Sequence, residues 1–192
     1  HFLHSMKADG GDIIPLSYHE TDEWNPSVTN DGMIVYTRWD YVDRNSNAAQ
    51  HLWTCYPDGR DPRAPHANYV HPFSTMEGSD FGPGVFTTRP CWEWHIRAVP
   101  HSPGYTGSSL YVACAGPHHG QPFGALVLID TSVEDDGLMS QARRITPNRF
   151  PESEVGSKQS WDYGAPWPLS RDYYVVNYLD GLYLLDRFGN LE

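Results

Sequence analysis

The chain has 192 residues, with 24 acidic against 13 basic side chains, so its formal net charge is −11 when every histidine is neutral. That balance argues against nucleic acid as a partner, because a phosphate-binding surface needs basic patches and the arginines here are scattered, apart from Arg143-Arg144. No apolar run approaches the roughly 18 residues that cross a bilayer as a helix, so no membrane span is expected.

The length fits one domain. Only 39% of residues are hydrophobic, but 7 Trp, 12 Tyr and 7 Phe supply large side chains to bury. With 17 Gly and 16 Pro spread along the chain, long helices are hard to place and short strands joined by loops are favoured. In chain order, β-branched and aromatic runs predict strands over residues 33–37, 52–55, 110–113, 126–129, 173–177 and 182–185. Residues 134–144 alone have helical composition, and Asp135-Asp136-Gly137 makes a turn there an equal reading. The fold class expected is all-β.

One grammar recurs three times, near residues 24–60, 96–146 and 164–190. The first copy runs from Asn25-Pro26-Ser27 through the Asp31-Gly32 turn and a strand to Leu52-Trp53-Thr54-Cys55 and Asp58-Gly59. The second runs from Pro100-His101-Ser102 to Leu126-Val127-Leu128-Ile129-Asp130, and the third from Pro168-Leu169-Ser170 to Leu182-Tyr183-Leu184-Leu185-Asp186. Repeated antiparallel units that protect their edges by radial arrangement are the blades of a β-propeller. Residues 1–192 then form a single all-β module, and three visible copies predict an incomplete, about three-blade portion of a larger propeller, with blade edges open to self-association. The segments 61–90 and 147–163 are insertions where ligand contacts are expected.

Several stretches carry a family resemblance. They are residues 16–44, Leu52-Trp53 to Pro57-Asp58-Gly59, Arg97-Ala98-Val99-Pro100, Pro117-His118-His119-Gly120, residues 124–130, Arg144-Ile145-Thr146-Pro147, Phe150-Pro151-Glu152-Ser153-Glu154 and Pro168-Leu169-Ser170. Together they resemble the hydrazine synthase alpha subunit family, in its middle, TolB-like β-propeller domain. The resemblance implies an exported protein, periplasmic or on the cell surface, with WD40-like repeats. The chain begins at His1 without a signal segment, so an export signal is expected to have been removed or to lie outside it. Covalent haem attachment uses Cys-x-x-Cys-His, and the chain instead has Cys91-Trp92-Glu93-Trp94-His95 and Cys114-Ala115-Gly116-Pro117-His118. No covalent haem is therefore expected, and hydrazine synthesis does not transfer.

The candidate ligand contacts are His19, Glu20, Glu23 and Trp24 before the first copy, and His118 and His119 within the second. Pro117 and Gly120 bracket the histidine pair in a turn, where both imidazoles can point at one ligand. His19, His118 and His119 could hold a divalent metal, while the plainer reading is a hydrogen-bonded loop histidine pair and a solvated acidic loop. A zinc site from Cys91, His95, Cys114 and His118 lacks the usual ligand spacing, and small buried thiols are the simpler account. The seven tryptophans either pack between blades or offer stacking faces to a carbohydrate-like ligand. Catalytic residues are not identifiable. The role expected is a ligand- or protein-binding scaffold whose partners are other domains of a parent chain or a separate protein. A metal-assisted lyase or hydrolase acting on a carbohydrate-like substrate is the alternative.

Overall fold

A computed structural model describes residues 1–19, 22–40, 50–66, 92–101, 109–116, 120–133, 141–148 and 162–192, and among these no helix occurs. Three antiparallel meanders follow one another along the chain. The first consists of β3 (Asp22–Val28), β4 (Ile34–Trp39), β5 (Gln50–Cys55) and β6 (Arg63–His66). The second consists of β7 (Trp92–Ala98), β8 (Leu110–Gly116), β9 (Ala125–Asp130) and β10 (Ala142–Arg144). The third consists of β11 (Tyr163–Pro168), β12 (Tyr173–Tyr178) and β13 (Gly181–Asp186). A single parallel pairing, Gln50 with Trp92, joins the first two meanders edge to edge.

An N-terminal hairpin of β1 (His4–Ser5) and β2 (Ile14–Pro15) precedes them. Its turn matches those of two later sheets. The Lys7 amide donates to Gly11 O and the Gly10 amide to Lys7 O, and the same pair of bonds runs Tyr56 to Arg60 with Gly59 to Tyr56, and Asp186 to Asn190 with Gly189 to Asp186. Gly10, Gly59 and Gly189 all take φ between 82° and 90°, where a side chain is disfavoured. The hairpin therefore repeats the β5–β6 half of a meander, a fourth copy that the strand runs of the sequence did not reveal.

The sheets pack face to face, and period-2 alternation sorts each strand between two cores. Leu3 and Leu16 of the hairpin segment pack against Ile34, Tyr36, Trp53 and Cys55 of the first meander. On its other face, Val35 and Leu52 meet Ile96, Tyr111, Ala113, Ala115, Val127 and Ile129 of the second. The second turns Leu110, Val112, Cys114, Leu126 and Leu128 toward Tyr163, Tyr174, Val176 and Leu185 of the third. Each sheet thus has a forward face, toward the next sheet, and a backward face.

The six expected strands are present, five within about two residues of their bounds and the sixth, β8, running three residues further to Gly116. The helical alternative is corrected where it can be seen, since Ala142–Arg144 is strand β10 paired with β9, and residues 134–140 lie outside the described residues. The first strands β3, β7 and β11 were not anticipated. Pro26, Pro166 and Pro168 sit inside two of them, which is tolerated because each runs along a sheet edge. All three carry a register shift, between Trp24 and Ser27, Trp94 and Arg97, and Tyr163 and Pro166. Asn25 and His95 occupy the first two shifts with φ of 51° and 52°, which breaks the alternation that a strand reading depends on.

Candidate functional site

The pairings define two ends of the stack. At one end Asp22 pairs with Trp39, Trp39 with Gln50, Gln50 with Trp92 and Trp92 with Gly116. The connections spanning 40–49, 67–91, 117–124 and 145–162 leave from this end, and those spanning 29–33, 56–62, 99–109, 131–141 and 169–172 leave from the opposite one. Long connections on a rigid scaffold are where binding groups concentrate.

Four tryptophans meet there. The Trp24 ring lies 6.1 Å from Trp39 in a stacked arrangement, 5.5 Å from Trp92 and 5.7 Å from Trp94, and Trp92 meets Trp94 edge-on at 3.8 Å. Trp24, Trp39 and Trp92 are half-buried, so part of the cluster faces solvent. The His1 ring is 6.0 Å from Trp24, and its Nδ1 lies 2.9 Å from an Asp22 carboxylate oxygen. An indole N–H can only donate. Those of Trp92 and Trp94 are buried and have no acceptor among the described residues.

Glu23 and Trp24 are neighbours on β3, so their side chains leave on opposite sides. The buried Glu23 carboxylate accepts from the Leu3 amide at 3.2 Å and from the Ser17 hydroxyl, which ties the first meander to the hairpin. His19 is half-buried just ahead of β3. Glu20, His118 and His119 lie outside the described residues, and Gly116, which leads to the histidine pair, is Trp92's partner. Among the described residues no three metal-ligating side chains converge. Cys114 is fully buried, its thiol 3.4 Å from Tyr163 O, and burial pushes its pKa up.

Sequence reasoning missed a second buried polar cluster. Glu93 stands on β7 where Glu23 stands on β3, and its Oε2 accepts from the Leu52 amide at 2.9 Å. Its Oε1 is 2.7 Å from His66 Nε2, with both side chains wholly buried. His66 Nδ1 lies 2.6 Å from Gln141 Oε1, and the Gln141 amide donates to Val133 O at 2.9 Å. An acceptor oxygen beside each ring nitrogen favours the protonated form of His66. Burial alone would lower its pKa, but the Glu93 carboxylate and the two hydrogen bonds hold it above the ordinary value. Burial would raise Glu93, and the adjacent His66 and His51 rings hold it below the usual range. The recurrence of Glu-Trp at 23–24 and 93–94 was the available signal.

At the opposite end a cavity of about 200 Å³ opens between the first and second meanders, lined by Asp31, Thr54, Asp61, Arg63 and Tyr111 among others. Its charged groups are already engaged, Asp61 with Arg63 at 2.6 Å and Asp31 with the Thr29 hydroxyl. The tryptophan end, with its unmet donors, is the stronger candidate. No family model matches the chain, and no curated protein matches it significantly.

Proposed function

We propose that the chain is a β-propeller binding module whose tryptophan end takes a neutral, carbohydrate-like ligand. The observation that carries this reading is the pair of buried indole N–H groups on Trp92 and Trp94, without an acceptor among the described residues, beside the half-buried rings of Trp24 and Trp39. A polyhydroxylated ring supplies what such a cluster lacks, with an apolar C–H face to stack on an indole and hydroxyl oxygens to accept its N–H. A buried donor left unmet costs about 1–3 kcal/mol, so meeting two of them is a substantial share of a weak ligand's affinity.

The propeller reading is part of the same proposal. It is supported by successive meanders that pack face to face with their first strands side by side. Arg97 on β7 reaches Ser27 on β3 at 3.3 Å and stacks 4.1 Å from the Trp167 ring on β11. So does the resemblance to the middle domain of the hydrazine synthase alpha subunit, with the export it implies; redox chemistry is not carried over.

Calorimetric titration with a panel of neutral oligosaccharides tests the binding reading. Trp24→Phe and Trp92→Phe are expected to weaken binding at least tenfold while preserving the melting curve, and Trp167→Phe to leave it unchanged. Binding of no saccharide, or equal losses from all three variants, would overturn it.

A further inference from the structure

The first strands β3, β7 and β11 lie side by side, and their register shifts fall at corresponding places. Pairing with the next strand breaks off at Trp24, Trp94 and Tyr163 and resumes at Ser27, Arg97 and Pro166. Asn25 and His95 follow the break on β3 and β7, both in the left-handed region. A residue other than glycine holds that conformation only where its surroundings impose it, and such residues concentrate at functional sites.

Arg97 bridges all three strands. From β7 its guanidinium donates to Ser27 Oγ on β3 at 3.3 Å and lies 4.1 Å from the Trp167 ring on β11. Stacked on one face and bonded at one nitrogen, it keeps the remaining N–H groups of a planar fork that matches a carboxylate. The chain is acidic, and Arg38, Arg60, Arg63 and Arg187 each have an aspartate oxygen within 3.2 Å. Arg97 is half-buried and has no carboxylate partner among the described residues. Burial alone pulls its pKa below the ordinary value, and burial together with the Arg97 charge lowers that of His95. A half-buried cation and a histidine, held together with no acid acting on either, concentrate positive potential between the first strands.

We propose that Arg97, Ser27 and His95 form a binding site for a small monocarboxylate. The carboxylate takes the free edge of the guanidinium fork. The Ser27 oxygen accepts from Arg97 and keeps its own O–H to donate to the same anion. Because His95 is held neutral near neutral pH, the site carries one positive charge, which a monocarboxylate balances and a phosphate dianion exceeds. Trp167 is about half exposed and offers an apolar surface to the carbon skeleton of the acid. Ser27, Arg97 and Trp167 all stand near the ends of their strands that point away from the tryptophan cluster, so the site is separate from the saccharide-binding end.

An NMR titration of the full chain with acetate, lactate, benzoate and inorganic phosphate, in a chloride-free zwitterionic buffer at about pH 7.5, where an ordinary histidine is already mostly neutral, tests this. The carboxylates are expected to bind saturably and more tightly than phosphate, shifting the Arg97 Nε–Hε and His95 ring signals with one midpoint. Arg97→Gln is expected to weaken binding at least tenfold. Arg97→Lys keeps the charge and loses the fork, and should weaken binding by less, while Trp92→Phe leaves it unchanged. Circular-dichroism melts check that the variants fold, and the wild-type shifts locate the site even where a variant does not. Shifts that do not saturate, phosphate binding tighter than every carboxylate, binding that survives Arg97→Gln, or a loss from Trp92→Phe as large as that from Arg97→Gln would each overturn the inference.

Discussion

Replacing Glu93 by glutamine keeps the shape of the clasp between the first and second meanders and removes its charge. His66, wholly buried, would then face two amides in place of a carboxylate and an amide. Breaking a buried pair from one side costs about 3–5 kcal/mol, because the remaining charge is left without compensation. Against a total stability of about 5–15 kcal/mol for a domain, this is a large loss. Urea unfolding followed by tryptophan fluorescence would report it as a lowered midpoint at unchanged slope. Replacing both partners with apolar residues, as in Glu93→Met with His66→Leu, should cost less than Glu93→Gln alone.

The clasp also fixes a pH profile. Glu93 titrates lower folded than unfolded, so its contribution is complete above the unfolded value of about 4.3 and is lost as pH falls through the folded one. His66 titrates higher folded than unfolded, so its contribution is complete below about 6.5 and is lost as pH rises through its folded value. Stability is therefore expected to peak between about pH 4.3 and 6.5 and to fall on both sides, and Glu93→Gln should flatten both limbs. A Glu93→Gln loss below about 1 kcal/mol, or a variant that keeps the wild-type pH profile, would refute the assignment of a charged pair.

Three further outcomes are expected. Gly59→Ala places a Cβ 2.0 Å from Leu16 O at φ 82°, whereas Gly32→Ala at φ 84° meets nothing within 4 Å. The second should cost about 1–2 kcal/mol for the left-handed conformation alone and the first clearly more, in thermal melts of both. Burial pushes Cys55 up to about 11 and raises Cys114 as well, so peptide-resolved alkylation near pH 8 should leave both unmodified until urea unfolds the chain. Thr146→Val removes the hydroxyl that accepts from the Leu126 amide at 3.2 Å, and should cost about 1–3 kcal/mol where Thr146→Ser costs little.

What could be read from the sequence follows from which strands obey simple alternation. The central strands β4, β8 and β12 and the neighbours β9 and β13 are rich in Val, Ile, Leu and Tyr, β5 carries the run Leu52-Trp53-Thr54-Cys55, and all six are expected near their observed places. The first strands resist that reading because a proline, a left-handed residue or both interrupt each pattern: Asn25-Pro26 in β3, His95 in β7, and Pro166 and Pro168 in β11. Proline is a break signal in isolation and an edge feature in a sheet, and only the pairing partner decides between them. For the site, Trp24 was identified and its company was not, since Trp39, Trp92 and Trp94 reach it from two other strands. Glu23 was chosen for its ligand chemistry and is instead occupied within the fold by Leu3 and Ser17.

The fate of the carboxylates shows why residue type alone misleads here. Leu3, Leu52 and Leu126 hold equivalent places, and each has a backbone amide directed at a side chain rather than a strand. Glu23 accepts the first at 3.2 Å, Glu93 the second at 2.9 Å, and Thr146 the third at 3.2 Å. The third sheet carries Asp162 where the others carry glutamate, and its side chain is one methylene shorter. A threonine just beyond β10 accepts the amide in its place. What persists from sheet to sheet is thus the need of one buried amide for an acceptor. The acid at this repeat position is explained by that need before any catalytic or metal-binding role. By the same reasoning the indoles of Trp92 and Trp94, whose N–H groups find no acceptor among the described residues, are where a need remains for something other than the fold to meet.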